Sequence, residues 1–156
     1  MTQPENSLTK SLLKGKRILI TGTTGFLGKV LLEKIIRDIP EVAGVNLLIR
    51  GNQQYPNAFD RFTAEILTSS IFDRLRETDP STLERFCSEK IQCIGGEITE
   101  NKFGLSDEAY QNLASTSDIF INSAASVNFH EELDKALLIN TLCLNNVADF
   151  SVDAGN

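Results

Sequence analysis

Thr21-Gly22-Thr23-Thr24-Gly25-Phe26-Leu27-Gly28 decides the reading of this chain. It follows the apolar run Arg17-Ile18-Leu19-Ile20-Thr21 and opens Phe26 to Ile39, where Leu27, Leu31 and Ile35 recur at helical spacing. Pro40 stops that helix, and Val45-Asn46-Leu47-Leu48-Ile49 forms a second apolar run closed by Arg50-Gly51. Strand, glycine turn, helix, strand is the opening of a βαβ unit. Within it Gly22 permits the tight exit from the strand, Gly25 lets backbone approach a pyrophosphate, and Gly28 lets the helix pack closely. The free N–H groups of the helix start suit an anion.

Three readings of the turn compete. One is a strand-helix turn with no ligand. A mononucleotide P-loop fails twice: five residues instead of four separate Gly22 from Gly28, and Val30 stands where a Mg²⁺-binding Ser or Thr is required. A G-x-x-G-x-x-G dinucleotide turn fits at every position.

Outward from the turn, Asn57 to about Ser88 reads as mostly helical, with Phe59, Phe62, Ile66 and Leu67 on one stripe, Phe72 and Leu75 on another, and Asp79-Pro80 as a helix start. Ile91-Gln92-Cys93-Ile94 is a third strand, Ser106-Asp107-Glu108 opens a short helix, and Asp118 to Asn122 is a fourth strand. Glu131 to Phe150 is the last helix. Four apolar, non-alternating strands separated by helices predict an α/β fold, an incomplete Rossmann-type doubly wound parallel sheet with both faces covered. Residues 1–14 are expected to be a lead-in, and 15–156 the N-terminal portion of an NAD(P)-binding domain.

Composition sets limits. A length of 156 residues suits one domain. A net charge of −6 leaves no footprint for nucleic acid. Cys87, Cys93 and Cys143 have no metal-ligand spacing and read as reduced thiols, so no metal site is expected. Met1 to Lys10 is polar, and no apolar stretch approaches the roughly 20 residues a bilayer span needs. A cytoplasmic location is expected, with no transmembrane segment and with a homo-oligomer left open.

Further segments narrow the match. Leu48-Ile49-Arg50-Gly51, Gly96-Glu97-Ile98-Thr99, Phe103-Gly104-Leu105-Ser106, Asn122-Ser123-Ala124-Ala125-Ser126-Val127-Asn128-Phe129 and Asn140 accompany Thr-Gly-x-x-Gly-Phe-Leu-Gly. From about Gly15 to Val152 the chain resembles the extended short-chain dehydrogenase/reductases, in the branch acting on acyl thioesters, and most closely bacterial fatty acyl-CoA reductases.

The resemblance implies NADP(H) as cofactor, held by Gly22, Thr23, Thr24, Gly25, Phe26, Leu27, Arg50, Glu97, Ile98, Asn122, Ser123, Ala124 and Ala125. Arg50 ends the second strand, where an acidic residue would bind the ribose 2′-OH of NAD; a cation there favours the 2′-phosphate of NADP. It also reads as a solvated arginine. Glu97-Ile98 stands where the family has Asp and an apolar residue against the adenine, or is a loop carboxylate in solvent. Ser123-Ala124-Ala125 lets backbone pass beneath the ribose and nicotinamide, or simply packs. Asn140 belongs by resemblance to the helix whose distortion positions a water for proton relay; by itself it is a surface asparagine. His130, the single histidine, reads as solvated.

The family's Tyr-x-x-x-Lys pair is missing: Ala114 stands four residues after Tyr110 and Phe59 four after Tyr55. The resemblance therefore places the catalytic residues, and the site for a fatty acyl-CoA or acyl-carrier thioester, downstream of a chain truncated before them. The implied reaction is reduction of the thioester to an aldehyde and onward to an alcohol. Rival readings are a carrier-protein thioester reductase, a nucleotide-sugar epimerase and a non-catalytic nucleotide-binding module.

Overall fold

A computed structural model describes residues 8–155. The two apolar runs become adjacent central strands, β1 (Arg17–Thr21) and β2 (Gly44–Ile49), with β3 (Ile91–Gly95) and β4 (Ile119–Asn122) outside them. All pairings are parallel and the order is β3-β2-β1-β4. The chain thus builds β1 to β3 in one direction and returns for β4 on the other side of β1. Between β1 and β4 the winding reverses, which is where this architecture opens a crevice at the strands' carboxyl ends.

Alternation along the strands sends residues to two cores. Ile18, Ile20, Val45, Leu47 and Ile49 pack with Leu32, Ile35 and Ile36 of α2 (Phe26–Asp38) and with Leu83 and Phe86 further along. The latter two belong to the last of three helices between β2 and β3: α3 (Ala58–Arg61), α4 (Asp73–Thr78) and α5 (Pro80–Lys90). Leu19 and Leu48 point the other way, toward α6 (Asp107–Thr116) and the helix after β4. A short α1 (Leu8–Leu13) precedes the sheet; residues 1–7 of the predicted lead-in lie outside the described residues.

Helix starts follow local chemistry. Asp79 accepts from Thr82 N at 3.1 Å with Pro80 at the first helical position, and Ser106 accepts from Ala109 N at 3.2 Å. Each satisfies an N–H that the helix itself leaves unpaired.

Three expectations need correction. Full coverage of both faces holds for β1 and β2, whereas most of β3 and all of β4 are half-buried, because they are the sheet's edges. Phe59 leaves its predicted stripe and is 63% exposed, while Phe62 and Ile66 are buried. The last helix starts at Leu133 and is not uniform: α7 (Leu133–Leu137) passes through a π-helical segment, Leu138–Leu142, into α8 (Cys143–Asp153).

The loop after β3 holds two non-glycine residues in the left-handed region, Lys102 (φ 51°) and Phe103 (φ 58°). That geometry costs about 1–2 kcal/mol per residue. Phe103 is fully buried, with ring centroids 5.3 Å from Phe150, 5.9 Å from Phe120 and 6.0 Å from Tyr110. Burying one aromatic ring outweighs the backbone term.

Candidate cofactor cleft

At the carboxyl ends of the strands lies a cleft of about 430 Å³. The turn after β1 supplies Gly22, Thr23, Thr24 and Gly25; the end of β2 supplies Arg50; the loop after β3 supplies Glu97 and Ile98; and the loop after β4 supplies Ser123, Ala124 and Ala125. Residues scattered from position 22 to 125 thus share one wall. Four of the sequence-derived residues do not line it. Phe26 and Leu27 begin α2 and are 77% and 67% exposed. Asn122 and Asn140 do not line the cleft, but each hydrogen-bonds to a residue that does.

The glycine turn is closed on its own backbone. Gly22 has φ +72°, and a Cβ there would stand 2.4 Å from the carbonyl carbon of Ser123. At Gly28 a Cβ would meet the Gly22 carbonyl oxygen at 2.4 Å, so this glycine admits the turn itself rather than the sheet. Gly25 differs: a Cβ there meets only the Gly22 oxygen, at 3.3 Å, and the residue faces the cleft. No side chain caps α2, and its first turn carries no acid. Its free N–H groups and positive end therefore remain available for an anion. Thr23 Oγ1 is buried without a hydrogen-bond partner among the described residues, although Thr23 lines the cleft. An orphaned donor beside an uncapped helix start fits a phosphate-bearing ligand.

Asn122 organises the loop behind that wall. Its Oδ1 accepts from Thr21 Oγ1 at 2.5 Å and from Ala124 N at 3.1 Å, while Ser123 Oγ donates to Thr21 O at 2.6 Å. Further along, Asn140 in the π segment accepts from Ser126 N at 2.8 Å and donates to Ser126 O at 2.9 Å. Ile98, 6% exposed, is held through its carbonyl by Asn146 Nδ2 at 2.9 Å.

At the far end of the cleft Arg50 Nη1 stands 3.1 Å from Glu97 Oε2, and Glu97 Oε1 accepts from Thr99 N at 3.3 Å. The Arg50 side chain is 63% exposed and Glu97 only 21%. Arg61 also lines the cleft and was not legible beforehand, since an arginine four residues before Glu65 reads as a solvated helix pair. Asn146 left no signal either.

The tyrosines stand apart from this wall. Tyr110 is buried in the second core, its hydroxyl donating to Asp153 Oδ2 at 3.0 Å. Burial first, then the Asp153 carboxylate, pushes its phenol up to about 12, so it stays protonated. His130 is exposed. Among the described residues no group of three acids, histidines or cysteines could hold a metal, and no helix is long and apolar enough to cross a membrane.

Comparison with known proteins places this geometry. Residues 20–155 match the model of an NAD-binding family described as male sterility protein. Fatty acyl-CoA reductase 2, chloroplastic, of Arabidopsis thaliana is 38% identical over 141 residues, covering 90% of this chain and 23% of that protein. Fatty acyl-CoA reductase 1 of Mus musculus is 40% identical over 129 residues, covering 83% of this chain and 24% of its own length. The chain thus spans about a quarter of the length of the curated relatives it matches. The crystal structure of the terminal R domain from the myxalamid PKS-NRPS biosynthetic pathway superposes with a TM-score of 0.68 at 25% identity, over 88% of this chain and 32% of that one. A nicotinamide dinucleotide is the cofactor such a domain takes, and the chain belongs to the male sterility protein family, in the thioester-reductase branch of the extended short-chain dehydrogenase/reductases.

Proposed function

We propose that this chain is the cofactor-binding part of an NADPH-dependent fatty acyl-CoA reductase. One observation carries the reading: a guanidinium at the end of β2 and an uncapped glycine turn open on the same cleft, in a chain 38–40% identical to proteins named fatty acyl-CoA reductases. When bound, NADPH would supply hydride to the thioester carbonyl, which with one proton would give aldehyde and the free CoA thiol, and a second hydride and proton would take the aldehyde to alcohol.

The chain's own residues do the holding. The backbone from Gly22 to Leu27 and the Thr23 hydroxyl take the pyrophosphate, with Phe26 and Leu27 contributing N–H groups while their side chains stay outside the cleft. Arg50 takes the 2′-phosphate. Glu97 and Ile98 border the adenine. Ser123, Ala124 and Ala125 pass beneath the ribose and nicotinamide, positioned by Asn122 and, through Ser126, by Asn140. Asn140 sits in a π segment, the local helix distortion that such bulges bring to functional sites, and its side chain holds the Ser126 backbone from there. No Tyr-x-x-x-Lys pair occurs in the 156 residues, so by themselves they are without reductase activity in this reading. Three free cysteines suit a reducing compartment such as the cytoplasm.

The test is turnover by the full protein of palmitoyl-CoA with NADPH, following thiol release and aldehyde or alcohol together. Absence of thiol release while NADPH still binds would overturn the acyl-CoA assignment. The likeness to the myxalamid R domain favours a second reading, in which the thioester is carried on a carrier protein. Thiol release from acyl-carrier protein but not from acyl-CoA would select it.

A further inference from the structure

Arg50 is built into a network that reaches beyond the strand end. Arg61 Nη1 donates to the Arg50 carbonyl at 2.6 Å, and Arg61 Nε to Glu65 Oε2 at 2.9 Å. Glu65 Oε1 in turn accepts from Asn52 Nδ2 at 2.7 Å. Asn52 closes the loop on itself, its Oδ1 accepting from Tyr55 N at 2.6 Å and its own N–H donating to Tyr55 O at 3.0 Å. Glu65 lies in a π-helical segment, Phe62–Ile66, which continues α3. The Arg61 side chain is 15% exposed, against 63% for Arg50.

Charge alone does not make this wall attractive to a dianion. Arg50 faces Glu97 and Arg61 faces Glu65, so two guanidiniums stand against two carboxylates. Discrimination between a 2′-phosphate and a 2′-hydroxyl must then come from where the guanidinium is held. An exposed arginine with one ion pair is poorly ordered, and exposed pairs of this kind contribute little. Fixing its backbone from below lowers the entropy lost when it closes on a phosphate.

We infer that Arg61 and Glu65 are positioning residues for cofactor selection: they fix the backbone of Arg50 and the 50–55 loop, and so make Arg50 selective for NADPH. This rests on the assignment of Arg50 to the 2′-phosphate. Glu65 does not line the cleft and stands apart from the glycine turn, so NADH is indifferent to its loss.

Dissociation constants for NADPH and NADH, measured by calorimetry on the full protein, test the inference. Glu65→Ala lowers the NADPH-over-NADH preference about 5- to 10-fold and leaves the NADH constant within about 2-fold. Glu65→Gln, which keeps shape and removes charge, does so partially and covers the case in which the alanine variant fails to fold. In an Arg50→Ala background, Glu65→Gln has no further effect on the preference, because it acts through Arg50. Equal loss for both cofactors, or additivity with Arg50→Ala, overturns the inference as merely structural. Loss of preference in Arg50→Ala with none in Glu65→Ala or Glu65→Gln overturns it while the cofactor assignment stands. An unchanged preference in Arg50→Ala defeats both.

Discussion

Asn140 grips the backbone of Ser126 with both ends of its amide, Oδ1 accepting from Ser126 N at 2.8 Å and Nδ2 donating to Ser126 O at 2.9 Å. A π segment of the last helix is thereby tied to the loop that floors the cleft. Aspartate cannot donate from its second oxygen and would face the Ser126 carbonyl with like charge. Asn140→Asp is expected to cost about 1 kcal/mol of stability, since both bonds are exposed, and to weaken nicotinamide cofactor binding about 3- to 10-fold. Chemical denaturation and a cofactor titration check the two halves; unchanged binding would confine Asn140 to the helix.

Gly22 and Gly25 are expected to fail in different ways. Gly22→Ala puts a Cβ 2.4 Å from Ser123 C at φ +72°, so the loss appears in the fold, with the melting temperature falling by several degrees. Gly25→Ala meets only one oxygen, at 3.3 Å, and leaves the melt near wild type while cofactor affinity falls about 10-fold or more. Thermal melts read beside fluorescence titrations distinguish the two. A Gly25 variant that melts early and binds normally would reverse the assignment.

Arg50→Ala should weaken NADPH binding and spare NADH. With the side chain 63% exposed, an unscreened charge pair of about 4 kcal/mol at an effective dielectric of roughly 20 is discounted to about 1–2 kcal/mol. That amounts to about 5- to 30-fold in affinity. Equal losses for both cofactors would mean that Arg50 shapes the strand end and does not read the phosphate.

Cys87 and Cys93 are half-buried against the first core, and burial pushes both thiols up to about 11, from an ordinary 9. For an acid raised on folding, the neutral form is the folded form. The contribution is present below the unfolded value and is lost as pH rises from about 9 toward 11. At pH 8 the thiolate fraction is about a hundredfold below that of a free cysteine. Iodoacetamide should therefore label both residues slowly in the native protein and rapidly in urea. Fast native labelling of either one would contradict the burial.

The continuous apolar runs made β1 and β2 legible, because strands buried on both sides need no polar alternation. The same reasoning overstated β3 and β4: composition does not reveal that a strand lies at an edge, and Gln92 is the sole internal sign in β3. Asp79-Pro80 and Ser106 were readable as helix starts because their chemistry is local. The left-handed Phe103 was not, since only the rings of Tyr110, Phe120 and Phe150 make that backbone worthwhile. At the cleft, glycine spacing disclosed the turn, but Arg61, Glu65 and Asn146 act through partners 11 to 48 positions away, or through a four-residue pairing that resembles an ordinary solvated one.

The contact between Gly22 and Ser123 joins segments about a hundred positions apart, as do the bonds from Thr21 to Asn122 and from Ser123 to Thr21. The glycine turn can therefore reach its final packing only once β4 is in place. During synthesis, the glycine turn leaves the ribosome long before β4 exists to close against it, and contacts of such separation form slowly. Until β4 docks, the nascent chain has the glycine turn and no cleft. Cofactor capture would then act as a seal on the finished sheet, favouring the state in which its first and fourth strands have met.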